Sequence, residues 1–451
     1  MWGYLTACRR TVLSAGAMAF TAILSFTSPA EVADAPGALH PLDVSILFPA
    51  PKDAADLANF ISVADLTDAT GAPLVPDPLF QQFLGIAASD ASKVDVPGGA
   101  SAQIGLPDGV ADIKNWFVAG IRVDVGAPGL SKNVMAAFGQ IPQIRLILQP
   151  VTVQGGKIKI HDRAAHMIFS FIGGLAKTQE TCAVQMLPKV DPDLPHFRSA
   201  LADFVSMRDD LAKGSFGTTP ISTQGPLDVH PALADAKARK PFRDRLVAIL
   251  GKNLSARQLG SMAAMGLPKS APEPWIFVAM QIQSNPKIAN FGHLIAVPSP
   301  ALDGKATAEL VRFFGDKVVP APVSDNLNDT MTTCFRLPND RKGVSTAKLL
   351  KAPATEQDTI DLTGIIADPT KSHFFNTDCV SCHTETRLLR SKSPATRIEG
   401  VAEAVLPNDQ WNVRNFGWGL EPGGPRPTIT RRTATETDEV VKAANELLQA
   451  Q

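Results

Sequence analysis

Cys379, Cys382 and His383 are the residues of this sequence whose types and spacing make one chemistry together. They form Cys-Val-Ser-Cys-His inside the stretch HFFNTDCVSCHTET, residues 373–386. Two thiols three residues apart on one helical turn can each add to a vinyl group of the same porphyrin. The imidazole directly after the second cysteine then lies under the ring and ligates the iron from the proximal side. The pattern C-x-x-C-H is thus the attachment signature of haem c. Two rival chemistries use the same atoms. His373, Cys379, Cys382 and His383 offer four soft or borderline ligands to zinc. Zinc sites, however, normally join two ligand pairs across a longer loop, and neighbouring Cys382 and His383 share one tetrahedral ion awkwardly. A redox dithiol would want a βαβ setting and leaves His383 without a role.

The stretch after roughly residue 360, about a fifth of the chain, resembles the c-type cytochromes, and does so specifically at Cys379, Cys382 and His383. The resemblance implies thioether attachment of one haem c to the two cysteines. It also implies proximal iron ligation by His383 and one-electron exchange with a redox partner protein. The final helix, from Glu436-Thr437-Asp438-Glu439-Val440-Val441, is similar to the closing helix of small cytochromes. One departure bears on function. Small mono-haem cytochromes usually supply a methionine sixth ligand downstream of the motif, but no methionine or histidine follows His383 here.

Three sources for the sixth position stay open. His373 stands six residues before Cys379 and would have to loop around the haem edge. Met262, Met265, Met280 or Met331 would reach in from the larger part of the chain. An open or water-filled position would instead favour a peroxidase-like redox enzyme. Met262 and Met265, three residues apart in what reads as an apolar helix, fit core packing better than ligation. Phe374, Phe375, Trp411, Phe416 and Trp418 concentrate aromatic surface near the motif. That surface could enclose a ring, but for any single one of these aromatics the core of a small domain is the commoner role.

The chain's beginning fits this compartment. Arg9 and Arg10, the apolar run Thr11–Phe26 and the small residues Ser28-Pro29-Ala30 are the parts of a secretory signal peptide over residues 1–30. The run is shorter than the ~20 residues of a spanning helix, so no permanent membrane anchor is expected. Paired arginines also admit twin-arginine export, but haem c is attached to a chain that crosses unfolded. The expected location is the bacterial periplasm or the secreted space. A formal charge of −1 excludes a nucleic-acid partner of the usual basic kind. Cys182 and Cys334, isolated and far apart, read as a structural disulfide worth up to ~5 kcal/mol in the chain-entropy model.

The elements that must position the motif read as α+β. Apolar content of 45% with 36 prolines and 33 glycines describes a globular chain rich in turns. Strands are expected at Leu42–Phe48, Trp116–Asp124, Gln143–Val153, Lys157–Ile160, His166–Ile172, Trp275–Ile282 and His293–Val297. Helices are expected at Leu79–Ile86, His196–Lys213, Pro241–Leu250, Ser255–Met265, Ala306–Phe314 and Thr437–Leu448. His161 and His166 read as surface or capping residues. The resulting organisation is a β-rich N-terminal domain with packed helices over 31–340 and a linker over 341–357. A small, mainly α-helical cytochrome c-like domain over 358–451 follows.

Overall fold

The computed structural model describes residues 37–89, 94–95, 101–126, 141–175, 190–266, 276–284, 294–298, 308–310, 313–314, 317–318, 364, 367–369, 416–421 and 424–450. Helices and an antiparallel sheet make up the fold, which is of the α+β kind. The nine-stranded sheet contains β1 (Ser45–Leu47), β2 (Trp116–Asp124), β3 (Gln143–Gln154), β4 (Lys157–Ile160), β5 (Arg163–Ser170), β6 (Leu259–Gly266), β7 (Ile276–Ser284), β8 (Leu294–Pro298) and β9 (Ala308–Leu310). Its order is β1-β2-β3-β5-β6-β7-β8, with β4 paired to β3 and β9 paired to β7. β2, β3 and β4 follow the β-branched, alternating runs that foretold them.

Alternation divides the sheet into two faces. Ile121, Val123, Ile144, Leu146, Leu148, Ala165, Met167, Phe169, Met262, Ala264, Val278 and Met280 all belong to the main core cluster. Helices contribute to that same cluster. Helix α1 (Asp77–Ala87) offers Leu79, Phe80, Phe83 and Leu84. Helix α2 (Leu194–Ala212) starts where the Asp193 side chain accepts a hydrogen bond from the His196 amide, and buries Phe197, Leu201 and Phe204. Helix α3 (Arg239–Asn253) buries Phe242, Leu246 and Leu250. At Gly251 this helix runs so close to Thr67 that a Cβ would come within 2.6 Å of the Thr67 carbonyl oxygen.

Three sequence expectations are corrected. Ser255–Met265 is a short 3-10 turn followed by β6, which is hydrogen-bonded to β5 on one side and β7 on the other. Methionine and alanine favour a helix locally, but two flanking strands satisfy the backbone of this segment and override that preference. Within 306–314, Ala308–Leu310 and Phe313–Phe314 are short strands. Between Pro41 and Phe48 the strand is confined to β1, after a single helical turn with proline at its first position.

The chain ends in a β-hairpin and a helix. Strands β10 (Phe416–Glu421) and β11 (Gly424–Ile429) pair with each other, and α4 (Arg431–Gln449) follows. Thr430 caps α4, its hydroxyl accepting from the Thr433 amide at 3.3 Å. The expected linker at 341–357 lies outside the described residues.

Candidate functional site

Cys379, Cys382, His383 and His373 lie outside the described residues, as do Phe374, Phe375, Trp411, Met331, Cys182 and Cys334. What can be described is the framework on either side of the motif. On its N-terminal side, Ala367 is fully buried and its carbonyl accepts from the Thr435 hydroxyl of α4 at 2.7 Å. On its C-terminal side, Phe416 opens β10 opposite Ile429. Both flanks of the motif are therefore fixed to the hairpin–helix unit that closes the chain.

That unit meets β3 on the face opposite Ile144, Leu146 and Leu148, while its Trp418 and Ala444 join the main core cluster. Arg145, Ile147 and Gln149 share this face by alternation, and each meets the closing unit differently. The Gln149 side chain makes two hydrogen bonds to the backbone of Trp418, donating to its carbonyl at 3.0 Å and accepting from its amide at 2.6 Å. Ile147 packs in a second cluster with Leu42, Leu47, Leu227, Ile429 and Ala434. Arg145 donates to Asp124 at 2.9 Å, and Asp124 lies 3.6 Å from Arg122. Arg122 in turn donates to Glu436 of α4 at 3.0 Å, and Arg432 reaches the other Glu436 oxygen at 2.5 Å.

This charged row is buried throughout. Burial pushes the Glu436 carboxyl up, but the Arg432 and Arg122 guanidiniums outweigh it and hold the group down at about 2. Burial lowers the Arg145 pKa against the opposing pull of Asp124. Trp418, one of the aromatics near the motif, is likewise part of the body. Its indole donates to the Phe48 carbonyl at 3.0 Å, and its ring meets Phe60 edge-on with centroids 5.7 Å apart.

The methionines considered as axial ligands separate cleanly. Met262 stands opposite Met167 and Met280 across three strands, and all three are sealed in the main core. Met265 points the other way by alternation, on the face shared with Ile147 and Gln149. His166, which sequence reasoning placed at the surface, is buried on that face between Ile147 and Ala263. His161 is also buried, with its Nε2 2.8 Å from the Thr152 hydroxyl. The only sequence signal for either histidine was its position next to or inside a β-branched run.

His230 is a further buried imidazole. Its Nδ1 accepts from the Ala232 amide at 3.2 Å, its ring stacks on Phe242 at 4.3 Å, and burial depresses its pKa to about 3. Among the described residues, no group of three or more His, Cys, Asp or Glu side chains is arranged to hold a metal ion. No helix among them is long and apolar enough to cross a membrane. Comparison with protein-family models, curated proteins and solved structures returned no match to this chain.

Proposed function

We propose that this chain is an exported c-type cytochrome carrying one covalent haem c on Cys379 and Cys382, with His383 as proximal ligand. One observation carries the reading: Cys379-Val380-Ser381-Cys382-His383 unites two thiols and an imidazole at the spacing of haem attachment. The donor set suits the group, since two thiolates supply thioether bonds and one neutral imidazole supplies an iron ligand. A bound haem would contribute a one-electron iron couple. The chain's own part is to tether the ring by two bonds, to orient His383, and to present a folded body to a redox partner protein in the periplasm.

A second reading is favoured by the lack of any methionine or histidine after His383. In that reading the sixth position is open and the protein is a peroxidase-like redox enzyme. Met265 is the described methionine on the side of the body where the motif's flanks are fixed, so it is the first to test as a ligand.

The deciding experiment is a pyridine haemochrome spectrum of the protein co-expressed with cytochrome c maturation proteins. The Cys379→Ala, Cys382→Ala double variant is measured alongside. A c-type band that resists acid–acetone extraction and vanishes in the variant supports attachment. The ferric spectrum of wild type and Met265→Ala then separates a six-coordinate carrier from an open iron. Wild-type protein without covalent haem but with stoichiometric zinc would replace both readings by a secreted zinc-binding protein.

A further inference from the structure

The described residues before the motif end at Pro369 and those after it begin at Phe416, and both places are anchored at the junction of β11 and α4. Ala367 is held by Thr435, and Phe416 is paired with Ile429. Ile429 and Thr435 are separated by one strand end and a little over one helical turn. The two anchors therefore lie within roughly 20 Å of each other. Described residues from 418 onward are tied into the body at several points. Trp418 is clamped by Gln149 and donates to Phe48. Glu436 joins Arg122, and the Ser45 and Thr437 hydroxyls meet at 2.8 Å. Leu39 exchanges two hydrogen bonds with Asn445, and Arg198 donates to the Leu447 carbonyl. Ala444 lies in the same core cluster as Phe48 and Phe197.

We propose that residues 416–450 are the closing strap of the N-terminal body, and that this body reaches its folded state with no haem attached. The last helix then packs on the body through its own described contacts. The reason is cooperative: a segment that supplies buried hydrogen bonds and ion pairs to β1, β2, β3 and α2 unfolds with them. The inference goes beyond the proposed function and does not depend on it.

Native-state hydrogen exchange on the full-length Cys379→Ala, Cys382→Ala chain tests it directly. The expected result is that amides in 418–420 and 434–448 open with the same urea dependence as those of 144–150. Protection at both places should be of order 10³-fold or more. Gln149→Leu, made in the same background, should raise exchange in both segments by a similar factor. The inference is overturned if 416–450 exchanges as a separate, less protected unit. It is equally overturned if the double-cysteine chain fails to fold, or if the strap becomes protected only in haem-loaded protein. Wild-type protein that shows no covalent haemochrome band while its strap keeps the expected protection would sink the cytochrome reading and leave this one standing.

Discussion

Replacing Glu436 by glutamine should uncouple α4 from the sheet. The carboxylate sits between Arg122 and Arg432, and all three side chains are buried. Its pKa is held at about 2 against an ordinary 4.5, so folding favours the charged form by about 3 kcal/mol. Removing one partner of a buried ion pair costs about 3–5 kcal/mol, because the other charge stays behind uncompensated. Glu436→Gln should therefore lose about 3 kcal/mol, read as a fall in the urea midpoint at unchanged slope.

The pH dependence carries the same signature. A carboxylate with a depressed folded pKa contributes stability that is present above pH 4.5 and lost as pH falls toward 2. Wild-type stability should decline across that window, and the variant should lack this part of the decline. Arg122 Nε and Arg145 Nε have no hydrogen-bond partner, so the row is imperfectly satisfied. Consequently Arg122→Met combined with Glu436→Leu should cost less than the sum of the two single changes. A Glu436→Gln loss below about 0.5 kcal/mol, with acid limbs that superimpose, would refute the reasoning.

Three further outcomes are expected. His230 is buried with its pKa lowered to about 3 from 6.5, so its neutral form stabilises the fold above pH 6.5. That contribution, up to about 4–5 kcal/mol, is lost as pH falls toward 3, and His230→Asn should flatten the stability profile between pH 6.5 and 4.5. Gln149→Leu should cost about 2–4 kcal/mol in chemical denaturation, since it strands the buried amide and carbonyl of Trp418. Met280→Ala should lower stability by about 2–5 kcal/mol through a core cavity, read in chemical denaturation.

Much of the framework was legible from local patterning. Trp116–Asp124 and Lys157–Ile160 kept their expected bounds because alternating or β-branched runs between turn residues leave the backbone one good choice. Leu79–Ile86 sits inside α1 because its apolar residues recur at helical spacing. The segment 259–266 was not legible, because its alanines and methionines carry helical propensity and only its neighbours β5 and β7 make it a strand. The face taken by His166 and Met265 was equally hidden, since a one-residue change of register would exchange it for the other.

By itself the sequence determined the chemistry on offer: two thiols and an imidazole at one spacing, with no methionine or histidine after them. These are local facts, and covalent haem chemistry needs only local spacing. Only the tertiary structure decided where the chain's end belongs. Val440, Val441, Ala444, Leu447 and Leu448 form an apolar stripe that would suit a haem pocket or a protein core alike. Glu436 on Arg122 and Trp418 on Gln149 are partners more than 250 residues apart in sequence. A stripe specifies that a face must be buried and leaves open against what; long-range charge and hydrogen-bond complementarity specify the partner.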